Sequence, residues 1–272
     1  HENQLAYPVR DEHTGERDHH FGFTQLVSAL AADVCVFNSE WNLSSFLEEA
    51  EKLLARLPDA IPPDSVSIIR AKSRVLGVPI LLPEVKVHET DEDRSLCPVI
   101  LWNHLWEHDK DPETFFEALF GLEVPFRSIV CGEKYREHPP IFDRAQERLR
   151  EKILHFGWAE SEAEYHALLS RAHLAVSTAR HEFFGLSMLE ATHFGARPLV
   201  PDRLSYLELF PGEYRYRDLP AALADLCRSW CEGADLRRDR SALLEPFGPS
   251  LLDRYRTLLS SPWTDLAPVS AR

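Results

Sequence analysis

Hydrophobic residues in the second half of the chain fall into short continuous runs, separated by amphipathic stretches with helical spacing. Continuous apolar runs of this length are typical of buried parallel strands. They predict strands near residues 98–103, 126–131, 153–157, 174–178 and 197–200. The stretches between them predict helices near residues 111–121, 139–152, 161–172 and 183–194. Alternation of strand and helix predicts an α/β fold with a parallel, doubly wound sheet.

The first part of the chain shows the same alternation less regularly. A helical pattern over residues 21–30 leads into a β-rich run at residues 33–39. Asn42 is predicted to cap a following helix, which ends at Pro58 because proline cannot continue it. An apolar run over residues 75–82 predicts another strand.

The charge pattern and the last helical periodicities suggest how the chain divides into domains. Residues 88–96 are charged and lack periodicity, which is typical of a linker. The predicted parts are a first domain at residues 1–87, the linker at 88–96, a second domain at 97–240 and a C-terminal segment at 241–272. Helices are expected near residues 219–230 and 241–259, and the C-terminal segment is expected to pack back toward the first domain.

Composition narrows the class of protein. The formal net charge is -14, from 44 acidic and 30 basic residues, which disfavours holding a polyanion by general electrostatics. Any RNA contact must therefore be local. The five cysteines lack zinc-type spacing and are interpreted as reduced thiols of a cytoplasmic protein. No apolar run approaches the roughly 20 residues that span a bilayer, and no signal peptide opens the sequence.

The most informative junction covers residues 177–191, where a strand ends and a helix begins. Free main-chain N–H groups at a helix start bind phosphate, and Gly185 lets a diphosphate approach the backbone. Glu182 and Glu190 are two helical turns apart, so one carboxylate can hold a sugar and the other a ribose. The alternative is a solvated Glu182 and a Glu190 that pairs with a nearby cation. Two aromatic residues predicted to be exposed beside Gly185, Phe183 and Phe184, favour a ligand or a partner domain there.

A second cluster follows the first strand of the second domain, at residues 102–112. Asp111 and Pro112 suit a helix start. Lys110 can neutralise a leaving phosphate, although a surface capping charge is the simpler interpretation of a lone lysine. The amino-terminal residues 1–4 are polar and precede Tyr7 closely in the chain, so they can receive a sugar or an acceptor. The alternative is a loop or a disordered segment, which is the usual state of such residues at a chain terminus. No histidine or cysteine spacing predicts a metal site.

Four long motifs carry a resemblance to a known family. The stretches HENQLAYPV, HFGFTQLVSALAADVCVFNS, WEHDKDP and STARHEFFGLSMLEA, in that order, resemble the tRNA-queuosine mannosyltransferases. The wider clan is that of the retaining GT-B glycosyltransferases of family four. The resemblance implies two Rossmann-like doubly wound domains. It also implies that the first domain is incomplete at its N-terminus, since no opening strand and glycine turn precede His1.

The resemblance also implies roles for residues of the two clusters. Glu182 would contact the transferred sugar, the backbone of residues 183–185 would hold the diphosphate, and Glu190 would hold the ribose. Lys110 matches the phosphate-binding lysine of the clan.

Further residues are implied by position in the resemblance. His1 matches a first-domain histidine that faces the donor sugar near the reacting carbon. Trp158 lies where the clan places its nucleobase loop. Asn38 and Ser39 match the end of a first-domain strand.

One departure concerns the second phosphate cation. The family is expected to carry an arginine where this sequence has Leu105, and losing a bidentate cation costs on the order of a hundredfold in rate. Either Arg180 or Arg70 takes its place, or this member is slow or inactive.

The resemblance implies transfer of mannose from GDP-mannose to queuosine in the anticodon of tRNA-Asp, with retention of configuration and no cofactor beyond the donor substrate. Two alternatives remain: a GT-B transferase with a different acceptor, and a catalytically weak homologue that binds sugar nucleotides. The oligomeric state stays open.

Overall fold

The computed structural model describes residues 3–7, 19–56, 64–84, 97–133 and 138–260. The chain divides into two compact units. One comprises the chain up to Pro79 together with the part from Pro246 onward, and the other runs from Ile80 to Glu245. The predicted linker at residues 88–96 lies outside the described residues. No helix in the described part of the chain is both long and apolar enough to cross a membrane.

The larger unit is built on a parallel sheet of six strands. Its strands are β3 (Val99–Asn103), β4 (Arg127–Cys131), β5 (Ile153–Gly157), β6 (Leu174–Val176), β7 (Arg197–Pro201) and β8 (Arg215–Tyr216). The order across the sheet is β5-β4-β3-β6-β7-β8. The chain therefore adds β4 and β5 on one side of β3, and then β6, β7 and β8 on its other side. This order confirms the parallel, doubly wound α/β sheet predicted from the alternating pattern.

Helices lie between these strands and after the last of them. They are α4 (Pro112–Phe120), α5 (Ile141–Arg148), α6 (Glu162–Ser170), α7 (Leu186–His193), α8 (Tyr206–Leu209), α9 (Leu219–Cys231) and α10 (Ser241–Leu244). Asp111 caps α4 by accepting a hydrogen bond from the Thr114 N–H at 3.3 Å, and Pro112 takes the first helical position. The predicted start of α4 is confirmed.

Aromatic residues fill the core on one side of the larger sheet. Trp102 of β3 is fully buried and stacks on Phe115, with 5.9 Å between ring centroids. Trp106, just beyond the same strand, stacks on Phe142 at 4.0 Å. Burial of side chains this large stabilises the fold and anchors both the end of β3 and the loop after it.

The smaller unit contains two short parallel strands, β1 (Cys35–Phe37) and β2 (Ser73–Val75). Its helices are α1 (His19–Ala31), α2 (Glu40–Leu54), α3 (Ser65–Lys72) and α11 (Pro249–Ser260). The Tyr255 hydroxyl of α11 donates to the carbonyls of Leu76 and Gly77, which ties this helix to the end of β2.

Three local predictions in these segments are wrong. The strand expected at residues 75–82 ends at Val75, because its partner β1 offers only three residues and Pro79 lacks an N–H. Ser39, not Asn42, caps α2: its hydroxyl accepts from the Asn42 N–H at 3.0 Å. The helix expected at residues 241–259 is broken between α10 and α11, where Pro246 and Gly248 interrupt the periodicity.

Candidate active site

The candidate site lies where the sheet order changes direction. β3 and β6 are neighbours, but the chain leaves them toward opposite edges of the sheet. In open parallel sheets such a point leaves a crevice beyond the carboxyl ends of the strands. The loops after β3 and β6 carry the two clusters singled out in the sequence, so the topology brings them together.

Lys110, in the loop after β3, contacts residues of the loop after β6. Its Nζ lies 3.1 Å from Asp109 Oδ2 and 3.4 Å from Glu182 Oε2, and it donates to the His181 carbonyl at 3.1 Å. The Thr178 hydroxyl donates to the Lys110 carbonyl at 2.7 Å, which fixes the backbone. Burial acts to lower the pKa of Lys110, but the carboxylates of Glu182 and Asp109 outweigh it and raise the pKa. With only 16% of its side chain exposed, Lys110 is therefore a largely buried cation and not a surface capping charge.

Glu182 folds back over the start of α7. Its Oε1 accepts hydrogen bonds from the N–H groups of Phe184 at 3.2 Å and Gly185 at 2.9 Å, while Oε2 faces Lys110. Burial acts to raise the pKa of Glu182, but the Lys110 charge and the two N–H donors outweigh it and lower the pKa. Its carboxylate occupies the anion position that the sequence predicted at this helix start. An entering phosphate must displace it.

Gly185 makes this arrangement possible. It precedes α7 with φ at +90°, a left-handed conformation that side-chain-bearing residues rarely adopt. A Cβ atom here would lie 2.8 Å from Cε1 of Tyr206. The close approach that the sequence assigned to a diphosphate is thus also required by packing.

The prediction that Phe183 and Phe184 are exposed is wrong. Only 9% of Phe183 and 4% of Phe184 is exposed. The Phe183 ring packs edge-on against His181, with 4.2 Å between centroids. Burying both rings removes their apolar surface from water, which stabilises the turn. What this segment presents to a ligand is its main chain.

Glu190 lies one helical turn further along α7 and is held by a neighbour that sequence reasoning missed. The Tyr165 hydroxyl of α6 donates to Glu190 Oε2 at 2.8 Å, and Asn103 Nδ2 donates to the Tyr165 oxygen at 3.1 Å. Burial raises the pKa of Glu190, and the hydrogen bond from Tyr165 partly offsets this. The sequence signal for this arrangement was Asn103, a polar residue at the carboxyl end of a buried strand.

Two buried histidines flank the lysine. His104 and His181 are 6% and 7% exposed. Burial, together with the charge of Lys110, lowers the pKa of each to about 4. Both rings are therefore neutral at pH 7.

This burial predicts a pH dependence of stability. A histidine whose pKa is lower in the folded state binds fewer protons folded than unfolded, so stability falls as pH drops from 6.5 toward 4. For shifts of this size we expect each ring to cost about 2 kcal/mol at pH 5. Urea unfolding of wild type and His181→Gln at pH 7 and pH 5 measures this. The variant should lose less stability than wild type over that interval, and equal losses would contradict the assignment.

The other residues predicted for the site lie in the loops after β3, β5 and β6 and in the smaller unit. The Arg180 side chain is 61% exposed, and its guanidinium donates to Asp111 at 2.9 and 3.2 Å. Leu105 is 40% exposed in the loop after β3. Trp158 follows the edge strand β5 and is 61% exposed. Arg70 lies on α3 of the smaller unit.

The amino-terminal cluster is described only in part. His1 lies outside the described residues. Asn3 is buried and its Nδ2 donates to Asn42 Oδ1 and Ser45 Oγ, both at 3.3 Å. That amide therefore joins the amino-terminal turn to α2. Within the described ranges, no group of three or more histidine, cysteine or acidic side chains is placed to hold a metal ion.

Comparison with known proteins gives consistent results for both parts of the chain. Residues 1–80 match the family described as tRNA-queuosine alpha-mannosyltransferase N-terminal. The tRNA-queuosine alpha-mannosyltransferase of Drosophila melanogaster is 39% identical over 241 residues, which is 84% of this chain. The chain spans 63% of the length of that relative. The resemblance read from the four motifs is confirmed.

Solved structures with the same fold are glycosyltransferases and related proteins at low identity. Anabaena HepE in complex with UDP and glucose gives a TM-score of 0.64 at 14% identity, over 90% of this chain and 69% of that one. The sucrose-phosphate synthase of Thermosynechococcus elongatus gives 0.66 at 18%, over 96% and 67%. At such identities the likeness shows the fold alone, and it confirms the predicted GT-B class.

The larger unit shows the family to which this chain belongs. Its crevice combines a buried lysine, a carboxylate at a helix start and a second carboxylate one turn further along. Residues 98–238, which contain all three, match the family described as Glycosyl transferases group 1. This chain belongs to the glycosyl transferases group 1 family.

Proposed function

We propose that this chain carries the donor site of an enzyme that transfers mannose from GDP-mannose to queuosine in the anticodon of tRNA-Asp, with retention of configuration. The observation that carries the proposal is the cluster of Lys110, Glu182 and the N–H groups of Phe184 and Gly185 at the start of α7. A cation and two converging N–H donors suit a diphosphate leaving group. The named activity of the Drosophila relative supports the acceptor.

The roles follow the geometry of the crevice. On binding, the donor diphosphate takes the N–H groups of residues 184 and 185 from Glu182 and faces Lys110. Glu182, once released, accepts hydrogen bonds from hydroxyls of the transferred sugar. Glu190 accepts from the ribose, and Trp158 offers an exposed aromatic face to the base. His1 is proposed to face the donor sugar.

The reaction is a front-face substitution. The acceptor hydroxyl oxygen bonds to the anomeric carbon on the side from which the phosphate oxygen leaves, and its proton passes to the departing diphosphate. Charge builds up on that phosphate as the bond breaks. Lys110 is preorganised for it, because it is already largely buried and held by three oxygen atoms before the donor arrives.

We propose the acceptor and the cellular location from the net charge of the chain and the state of its cysteines. With a net charge of -14, the chain must hold RNA by local contacts and not by an overall positive field. Cys35, Cys131, Cys227 and Cys231 are free thiols, which suits the cytoplasm. A tRNA acceptor and a nucleotide-sugar donor meet in that compartment.

The test is a transfer assay. The protein expressed from its complete gene is supplied with GDP-mannose labelled in the sugar and with queuosine-containing tRNA-Asp. The matched control is the same tRNA without queuosine. Label on the modified tRNA alone supports the proposal. Donor binding with no label on either tRNA would reject the proposed acceptor.

Leu105 favours a second candidate, a catalytically weak homologue. In the described crevice Arg180 is engaged with Asp111, and no arginine is ion-paired or hydrogen-bonded to Glu182 beside Lys110. A member with one phosphate cation in place of two should turn over slowly.

This leads to a prediction of gained activity. Leu105→Arg should raise turnover by about tenfold to a hundredfold, since a 40% exposed position accepts a longer side chain and restores a phosphate cation. Single-turnover transfer rates measure it. Leu259→Arg, at a 71% exposed position of the smaller unit, is the matched control and should leave the rate unchanged. An equal rate in wild type and Leu105→Arg would show that the chain does not need a second cation.

A further inference from the structure

The hydroxyl of Tyr165 lies at the junction of three elements. It belongs to α6, it accepts a hydrogen bond from Asn103 at the end of β3, and it donates to Glu190 on α7. Asn103 also donates to the Ser187 carbonyl in the first turn of α7, at 2.9 Å. The strand end, α6 and both turns of α7 are therefore joined by side-chain hydrogen bonds.

The chemistry of the three side chains determines which of them donates and which accepts each hydrogen bond. Asn103 uses one amide group to donate twice, to Tyr165 and to Ser187. The tyrosine oxygen is therefore an acceptor toward Asn103, and its single proton is directed to Glu190 Oε2. Burial, together with the charge of Glu190, raises the pKa of Tyr165, so the hydroxyl keeps this proton. The chain of hydrogen bonds can run only from Asn103 toward Glu190.

This leaves the two oxygens of Glu190 in different situations. Oε2 is held by Tyr165 at 2.8 Å. Among the described residues, no recorded hydrogen bond reaches Oε1. A carboxylate held at one oxygen presents the other in a fixed direction, and a ligand hydroxyl then meets an acceptor that needs no reorientation.

We infer that Tyr165, supported by Asn103, is a positioning residue that aims Glu190 at the sugar hydroxyls of the donor nucleoside and makes the site selective for ribose over sugars lacking those hydroxyls. The inference rests on the proposed function, which assigns the ribose to Glu190. It adds a residue outside the predicted site and a substrate preference that follows from its geometry.

The test compares two probes, GDP and 2′,3′-dideoxy-GDP, by isothermal titration calorimetry on the full chain. Wild type should prefer GDP by about tenfold or more, as expected for hydrogen bonds to a charged acceptor. In Tyr165→Phe this preference should fall to about threefold or less, with the affinity for dideoxy-GDP unchanged. Tyr255→Phe, which loses a hydroxyl bonded to two carbonyls in the smaller unit, should keep the wild-type preference.

Two readouts separate positioning from a general loss of structure. Removing the Tyr165 donor should raise the pKa of Glu190 further, so the pH below which GDP binding weakens should move upward in Tyr165→Phe. In a double-mutant cycle, Tyr165→Phe should add no loss of preference to Glu190→Gln. Additive losses, or an unchanged preference in Tyr165→Phe, would overturn the inference alone. Failure of wild type to bind GDP at all would overturn the proposed function and this inference with it.

Discussion

Replacement of Lys110 by methionine is expected to abolish sugar transfer and to destabilise the larger unit. The substitution leaves the carboxylates of Asp109 and Glu182 without their shared cation, at side-chain exposures of 1% and 17%. Removing one partner of a buried ion pair costs about 3 kcal/mol or more. Loss of the phosphate cation adds a rate loss of roughly a hundredfold or more among the molecules that remain folded. Urea unfolding and single-turnover transfer measure the two effects.

The matched control is Lys52→Met. Lys52 is ion-paired with Glu48 and Glu49 at similar distances, 2.7 and 2.8 Å, but its side chain is 50% exposed on α2. Solvent screens such pairs, so transfer and stability should stay close to wild type. If Lys110→Met transferred sugar as fast as Lys52→Met, the proposed role of Lys110 would be wrong.

Gly132→Ala is expected to have the largest effect on stability of any single methyl group added near the site. A Cβ atom at this position would lie 2.0 Å from the His104 carbonyl oxygen and 3.0 Å from Trp106 Cδ1. Because the first contact is with backbone, the loop after β3 must move as a whole. Overpacking of this kind costs about 3 kcal/mol. The displaced loop carries Lys110, so GDP binding should weaken as well.

Gly121→Ala provides the comparison for this second substitution. Gly121 follows α4 with φ at -89°, and a Cβ atom there would have ordinary contacts of 3.7 Å or more. The same change should leave the free energy of unfolding within about 0.5 kcal/mol of wild type or raise it slightly. Denaturant unfolding of Gly132→Ala and Gly121→Ala measures the difference in the free energy of unfolding. Equal stability of the two would show that the loops after β3 and β4 can separate at little cost.

Most of the larger unit was predictable because its signals are local. Parallel strands that are buried on both faces need continuous apolar runs, and five of the six strands of this sheet were predicted from them. The sixth, β8, is two residues long and gave no such run. In the smaller unit, Ser39 and Asn42 are both residue types that cap helices. Ser39 is the cap of α2 because it is the residue that adopts the extended backbone conformation.

The site was predictable in its residues but not in their contacts. Lys110 and Glu182 are 72 positions apart, and their proximity follows from the pairing of β3 with β6. The sequence placed Phe183 and Phe184 at the correct turn but gave them the wrong exposure, because burial depends on which surfaces the turn meets. No local pattern singles out Tyr165, since nothing near it in the chain indicates that its hydroxyl reaches Glu190.

The sequence by itself determined the alternation of strands and helices, the family resemblance and the identity of the groups at the strand-to-helix junctions. These depend on side-chain period and residue chemistry, which are properties of consecutive residues. Only the tertiary structure decided that Glu182 accepts from the N–H groups of residues 184 and 185, that Lys110 is a largely buried cation and that Asn103 and Tyr165 hold Glu190. Each of these depends on distances between segments far apart in the chain. Those distances are fixed by strand order and packing, which no local pattern encodes.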